Sequence, residues 1–100
     1  MKKPVVGCLG VTYKPDIDDV RESPAMDIVR KLRKKLPEES LIVHDPYFDG
    51  SEKGLETDSL ENVIENSDIV VLLVHHKQYL KLDKKLFEEK ILIDTRGIFD

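Results

Sequence analysis

Cysteine is scarce in this sequence, because Cys8 is the only one among 100 residues. A single thiol cannot form an internal disulfide, so a core must hold the fold, and a chain of this length can build one domain around one core. Cys8 lies inside an apolar stretch, which favours a small buried side chain over a nucleophile. The cysteine usage predicts a cytoplasmic protein.

Long hydrophobic runs and an excess of basic charge are also lacking. No apolar run approaches the roughly 20 residues of a membrane-spanning helix, and the first residues, MKKP, lack the apolar segment of a signal peptide. The 16 basic and 20 acidic residues are interleaved and give a net charge of -4. We therefore expect neither a membrane nor nucleic acid as a partner.

Glycine is too sparse for the dinucleotide fingerprint. Gly7 and Gly10 are separated by two residues, but the first spacing of G-x-G-x-x-G is absent and the segment that follows is long and acidic. We expect that NAD does not bind to this domain in the Rossmann manner.

Four apolar stretches alternate with amphipathic ones. The pattern predicts strands at 5–11, 41–43, 69–74 and 91–93, helices at 24–36, 60–67 and 83–89, and a turn at 78–82. Ser23 and Pro24 are a favoured cap and first residue for the first helix. This order predicts an α/β fold, a small open parallel sheet of about four to five strands with helices on both faces, which is Rossmann-like.

Chemically reactive side chains follow the strands. In a parallel sheet the carboxyl ends of the strands meet at one edge, where ligands commonly bind. The residues that this argument brings together are Tyr13, Lys14 and Arg21, then His44 and Asp45, then His75 and His76, and finally Asp94 and Arg96.

Each charged candidate has two interpretations from spacing alone. Lys14 and Arg21, beside a helix amino terminus, suit a diphosphate, or they pair with the aspartates at 16, 18 and 19. Tyr13 stacks on a base or caps the sheet. Arg96 reaches the same ligand, or pairs with Asp94 and Asp100.

The three histidines raise a metal or general-base hypothesis, with Asp45 as a neighbour. Adjacent residues in an extended segment point to opposite sides, so His75 and His76 cannot readily chelate one ion. Because no further Cys or His completes a ligand set, we expect no metal site.

The segment after the first strand resembles the C-terminal domain of the UDP-glucose/GDP-mannose dehydrogenase family. There the loop runs aromatic-Lys-x(4)-Asp-x-Arg-Glu-Ser-Pro, usually with Phe where this chain has Tyr13. The matching residues here are Tyr13-Lys14, Asp19, Arg21-Glu22-Ser23-Pro24, Asp45-Pro46 and Asp94-Thr95-Arg96-Gly97.

This resemblance implies that residues 1–100 are the UDP-sugar-binding C-terminal domain of an NAD-dependent nucleotide-sugar 6-dehydrogenase. It assigns Tyr13, Lys14 and Arg96 to the UDP-sugar and Arg21 to the NAD diphosphate, with NAD held mainly by another domain. The family's catalytic cysteine, NAD domain and central domain have no counterpart here, so no residue of this chain is assigned as catalytic and the chain alone is expected to be inactive.

The segment Ser23-Pro24-Ala25-Met26 and His75 resemble the branch of the family that oxidises UDP-N-acetylmannosamine to its uronate. Two alternatives stay open: the C-terminal domain of a UDP-glucose 6-dehydrogenase, and a free-standing non-enzymatic nucleotide-binding or interaction module. Whether the full enzyme is a homo-oligomer is also left open.

Overall fold

A four-stranded parallel sheet organises the computed structural model, which describes residues 4–12, 16, 23–48 and 57–99. The strands are β1 (Val6–Leu9), β2 (Leu41–His44), β3 (Ile69–Leu72) and β4 (Ile91–Asp94), in the spatial order β2-β1-β3-β4. Val6 of β1 is in register with Leu41 of β2 and Ile69 of β3. The predicted parallel α/β fold is confirmed.

Helices cover both faces of the sheet. Helix α1 (Pro24–Lys35) packs on the face that carries Cys8, and α2 (Leu60–Asn66) packs on the face that carries Leu9. Because consecutive strand residues point to opposite faces, the two helices form separate layers. The first cluster includes Met26, Val29, Val43 and Leu73, and the second includes Val63, Val70, Leu72, Tyr79 and Phe87.

The predicted start of α1 is confirmed in its details. Ser23 caps the helix by accepting a hydrogen bond from the Met26 N–H at 3.1 Å, and Pro24 is the first helical residue. The Ser23 hydroxyl also lies 2.8 Å from the Val11 carbonyl oxygen, to which it donates. Ser23 therefore joins the start of α1 to the segment that leaves β1.

The strands β1 and β3 end two residues before the apolar stretches do. Gly10 has a positive φ of 93°, and a side chain there would collide with the backbone of Val74. Val11, Leu73 and Val74 are nevertheless buried. The apolar pattern therefore predicted burial correctly and strand length incorrectly, because the chain bends at Gly10.

Two predictions between β3 and β4 were correct only in part. The expected turn at 78–82 contains a helical turn, α3 (Lys77–Leu80), which buries Tyr79, and the expected helix at 83–89 is a 3-10 turn, Lys84–Phe87. Leu86, expected to face inward, is exposed, whereas Phe87 packs on Phe99 with 5.2 Å between ring centroids. Consecutive side chains of a 3-10 turn point about 120° apart, so Phe87 faces inward while Leu86 faces solvent.

Strand β4 is one of the two edge strands, and it is less buried than the pattern predicted. Ile91 and Ile93 are 61% and 47% exposed, on the face that α1 covers farther along the sheet. A short 3-10 turn, Glu38–Ser40, precedes β2. Within the described residues, no helix has the length and apolar character needed to cross a bilayer.

Candidate functional site

The carboxyl ends of the four strands lie along one edge of the sheet. In sequence β1 is followed by β2 and β3, which lie on its two sides, so the direction of winding changes between β1 and β3. Ligands of open parallel sheets bind at such a point. The described candidates do share this edge, since each ends or follows one of three strands: His44, Asp45, His75, His76, Asp94 and Arg96. Tyr13, Lys14 and Arg21 lie outside the described residues.

A fully buried histidine lies at this point. His76 Nε2 is 2.9 Å from Asp45 Oδ2 and 3.1 Å from Thr12 Oγ1, while Nδ1 accepts a hydrogen bond from the Asp16 N–H at 2.8 Å. Because a backbone amide can only donate, Nδ1 carries no proton and Nε2 must carry it. The neutral ring therefore donates to Asp45.

Asp45 is buried behind this ring, and both of its carboxylate oxygens accept hydrogen bonds. Oδ2 accepts from the Val11 N–H at 2.7 Å as well as from His76, and Oδ1 accepts from the Tyr47 N–H at 2.7 Å. Burial alone raises the pKa of Asp45, but the hydrogen bonds from His76, Val11 and Tyr47 outweigh it and hold that pKa below its ordinary value.

Asp16 adopts a left-handed backbone conformation with a φ of 62°. Besides its amide bond to His76, its Oδ1 accepts from the Lys77 N–H at 2.8 Å and from the Tyr47 hydroxyl at 3.4 Å. A non-glycine residue at positive φ needs such compensating contacts. Asp16 is thus attached to the start of α3 by its side chain and to His76 by its backbone.

A second buried pair stands beside the first. The Tyr79 hydroxyl donates to the His44 carbonyl oxygen at 3.0 Å and lies 2.9 Å from His44 Nδ1, which donates to it. Burial lowers the pKa of His44, an effect that the nearby Asp45 charge opposes and His76 reinforces. Burial, together with the charge of Asp45, raises the pKa of Tyr79 far above its ordinary value.

Arg96 is the described candidate best placed to contact a ligand. Its Nε donates to the Leu73 carbonyl oxygen at 3.0 Å, so the side chain reaches from the end of β4 to the end of β3. Among the described residues, no other hydrogen bond involves the guanidinium, and the residue is exposed. The terminal amino groups are therefore oriented and accessible.

The alternative pairing of Arg96 with Asp94 does not occur. The Asp94 carboxylate accepts instead from backbone amides, those of Arg96 at 3.0 Å, Gly97 at 2.8 Å and Phe99 at 2.8 Å. Asp94 thus shapes the turn that presents Arg96. The other suggested partner, Asp100, lies outside the described residues.

The histidines do not form a metal centre in the described part of the chain. No group of three or more His, Cys, Asp or Glu side chains there has the geometry to hold an ion. His76 is buried and His75 is partly exposed, with a buried Nδ1 that has no hydrogen-bond partner within the described residues. The two adjacent rings thus occupy different environments.

A cavity of about 290 Å³ lies elsewhere, beside the outer strand β2 and the end of α1. Its lining includes Arg33, Pro37, Leu41 and Asp58, and none of the groups with a shifted pKa. The polar side chains at the strand ends therefore do not line this cavity. We assign the candidate site to the strand ends.

Sequence reasoning missed the network of Thr12, Asp16, Asp45 and His76. Its signal was present, since a histidine, an aspartate and a threonine each follow a strand. Spacing could not tell which of the two adjacent histidines points inward. The buried members of this network cannot contact a ligand, so they can act only by holding the chain around them.

Comparisons with known proteins identify similar chains. Residues 7–100 match the model of the UDP-glucose/GDP-mannose dehydrogenase family, UDP binding domain. The chain is 40% identical over 100 residues to an NDP-N-acetyl-D-galactosaminuronic acid dehydrogenase of Ralstonia solanacearum. This alignment covers 98% of this chain and 24% of that protein. It is 36% identical over 84 residues to a UDP-N-acetyl-D-mannosamine dehydrogenase of Campylobacter jejuni, covering 79% and 21%.

A solved structure is similar over nearly the whole chain. A UDP-D-ManNAc dehydrogenase from Pyrococcus horikoshii superposes with a TM-score of 0.79 at 30% identity, covering 98% of this chain and 23% of that one. The chain thus spans about a quarter of the length of the relatives that it matches.

Proposed function

Because the chain belongs to the UDP-glucose/GDP-mannose dehydrogenase family and corresponds to its UDP binding domain, we propose that it binds the UDP part of a nucleotide sugar for an NAD-dependent 6-dehydrogenase. The observation that carries this proposal is Arg96, whose Nε is bonded to the end of β3 while its terminal amino groups are accessible. A guanidinium held in this way suits the paired oxygens of a phosphate.

We assign Tyr13 and Lys14 to the same ligand. They come directly after Thr12, which follows β1. Strand β1 lies beside β3, and the carbonyl oxygen that binds Arg96 belongs to Leu73, directly after β3. Helix α1 also begins at this edge, through the bond of Ser23 to Val11. An anion there benefits from the helix terminus as well as from Lys14 and Arg96.

NAD belongs, in this proposal, mainly to parts of the enzyme outside these 100 residues, with Arg21 contributing to its diphosphate. An acidic residue after the second strand binds ribose hydroxyls in dinucleotide folds. Here Asp45 is buried, and its oxygens already accept from His76, Val11 and Tyr47. A buried carboxylate that already accepts three hydrogen bonds is poorly available to a ribose, which supports the same division of labour.

The sugar that we propose is N-acetylmannosamine, oxidised to its uronate by the intact enzyme. The supporting observations are His75 after β3, the Ser23-Pro24-Ala25-Met26 segment and the names of two similar proteins. The relative at 40% identity is named for a different N-acetylated sugar. The proposal that the sugar is an N-acetylated hexosamine is thus better supported than the choice of N-acetylmannosamine.

The test is an NMR titration of the chain with UDP, UDP-N-acetylmannosamine, UDP-glucose and NAD. Lys14→Ala and Arg96→Ala should each weaken UDP binding by about 1 to 3 kcal/mol, the size expected for a hydrogen bond to a charged group. Arg21→Ala should leave UDP binding nearly unchanged, because its expected partner is NAD.

The matched control is Lys35→Ala, which removes a positive charge from the far end of α1. It should not change UDP affinity. Amide shifts confined to residues 30–35, or equal losses in Lys14→Ala, Arg21→Ala and Arg96→Ala, would contradict the assignment. A folded chain that binds no UDP would favour the non-enzymatic module, and stronger binding of UDP-glucose would favour that sugar.

A further inference from the structure

We propose that His76 is a positioning residue for UDP binding, which holds in place both ends of the segment that carries Tyr13 and Lys14. The inference rests on the proposed function, since it assumes that these two residues contact UDP. What it adds is a role for a side chain that no ligand can reach, because His76 is fully buried.

The two nitrogens of one ring contact the two residues that flank this segment. Nε2 lies 3.1 Å from the hydroxyl of Thr12, the residue before Tyr13, and Nδ1 accepts at 2.8 Å from the amide of Asp16, two residues after Lys14. The ring thus accepts a hydrogen bond from Asp16, while the Thr12 hydroxyl lies beside the Nε2 proton that is donated to Asp45. Thr12 and Asp16 are thereby held close to the same ring before a ligand arrives.

Asp45 and Tyr47 hold the His76 ring in place. Asp45 Oδ2 accepts from Nε2 at 2.9 Å, which fixes the tautomer that leaves Nδ1 free to accept. The Tyr47 ring packs against it with 4.9 Å between centroids. Asp45 is in turn bonded to Val11 on the same chain segment, so the network connects the ends of β1, β2 and β3.

Two substitutions each keep one of the ring's two hydrogen bonds and remove the other. His76→Gln places an amide near the Nε2 position, so it can still donate to Asp45, but the acceptor for Asp16 is lost. His76→Asn places an amide near the Nδ1 position, so it can still accept from Asp16, but Asp45 loses a donor. Gln should therefore affect the flanking segment, and Asn should affect the buried carboxylate.

We expect the two variants to rank in opposite order for UDP affinity and for stability. UDP binding by His76→Gln should be about tenfold weaker than by wild type, because Asp16 then loses the acceptor that ties it to the core before UDP arrives. His76→Asn should bind UDP more tightly than His76→Gln, yet unfold at a lower urea concentration. The measurements are UDP dissociation constants by NMR titration and urea unfolding by circular dichroism.

Val63→Ala is the matched control, since it removes buried methyl groups from α2 and touches none of the network. It should lower stability without weakening UDP binding. If His76→Gln binds UDP as wild type does while Lys14→Ala does not, the positioning role is wrong and the proposed function stands. If the wild type or Lys14→Ala departs from expectation, the proposed function itself fails.

A measurement on the wild type alone guards against variants that do not fold. Long-range ¹H–¹⁵N spectra should show His76 protonated at Nε2 only, and the Asp16 amide should exchange slowly with solvent. A ring protonated at Nδ1, or a rapidly exchanging Asp16 amide, would overturn the proposal.

Discussion

His44 is a buried imidazole that the fold keeps neutral. Its pKa lies below the ordinary value of 6.5, chiefly because burial penalises the charged ring. When the folded-state pKa of a group is depressed, the unfolded chain binds more protons below the unfolded value. The contribution of His44 to stability is therefore present above about pH 6.5 and is lost as the pH falls through its folded-state pKa.

We expect the free energy of unfolding of the wild type to decrease between pH 7 and pH 5. His44→Asn should flatten this dependence, because an amide near the Nδ1 position can still donate to the Tyr79 hydroxyl and does not titrate. The measurement is urea unfolding at pH 7, 6 and 5 for both chains. Parallel pH profiles would show that His44 is not responsible.

At the residue scale, the sequence predicted where polar side chains collect but not what each one does. Arg96, His76 and Asp45 all follow strands, as expected. Which of them is exposed depends on the bend at Gly10 and on the direction of each side chain, and neither is visible in spacing. The interior role of Asp45 follows from amides of Val11 and Tyr47, which come together only in the folded sheet.

The two capped helices differ in what their caps touch. Ser23 and Ser59 each accept a hydrogen bond from an amide three residues later, at 3.1 Å in both cases. Ser23 is buried and also donates to the Val11 carbonyl oxygen, whereas Ser59 is exposed. The same chemical group therefore has a second function only in α1.

Ser59→Ala should destabilise the domain by about 1 kcal/mol, the usual cost of losing a helix cap. Ser23→Ala should cost about 2 to 3 kcal/mol, because it also leaves a buried carbonyl oxygen without that donor. Thermal and urea unfolding of both variants would test this. An equal loss for the two serines would mean that the bond to Val11 contributes nothing to stability.

At the element scale, the longer amphipathic segment was predicted well and the short ones were not. Helix α1 has its own cap and basic last turn, signals that are local in sequence. The four residues of α3 have no side-chain cap and depend on the burial of Tyr79 against His44. Tertiary contact of this kind overrides local preference and leaves little trace in the pattern.

At the scale of the whole molecule, the one thiol of the chain, Cys8, is the group to consider as a nucleophile. Cys8 is fully buried in β1, and burial raises its pKa to about 12. A nucleophilic cysteine needs an accessible thiolate, which this position does not provide at neutral pH. We therefore expect that Cys8 does not act as a nucleophile in the folded domain.

We expect no NADH formation when the chain is mixed with NAD and UDP-N-acetylmannosamine, UDP-N-acetylglucosamine or UDP-glucose. Thiol reagents should modify Cys8 slowly until the domain unfolds. Absorbance at the NADH band, measured for wild type and Cys8→Ser, provides the check. Turnover by the wild type that vanishes in Cys8→Ser would assign catalysis to this buried thiol.

The arrangement of the sheet also determines when each part can form during synthesis. The central strand β1 is made first, but its partner residues Leu41 and Ile69 emerge much later, and β3 in turn pairs with residues from Ile91 onward. Such distant pairings form slowly, because the intervening chain must be closed into loops first. During synthesis β1 therefore cannot complete its pairing until β3 has been made, and β4 can join the sheet only after that.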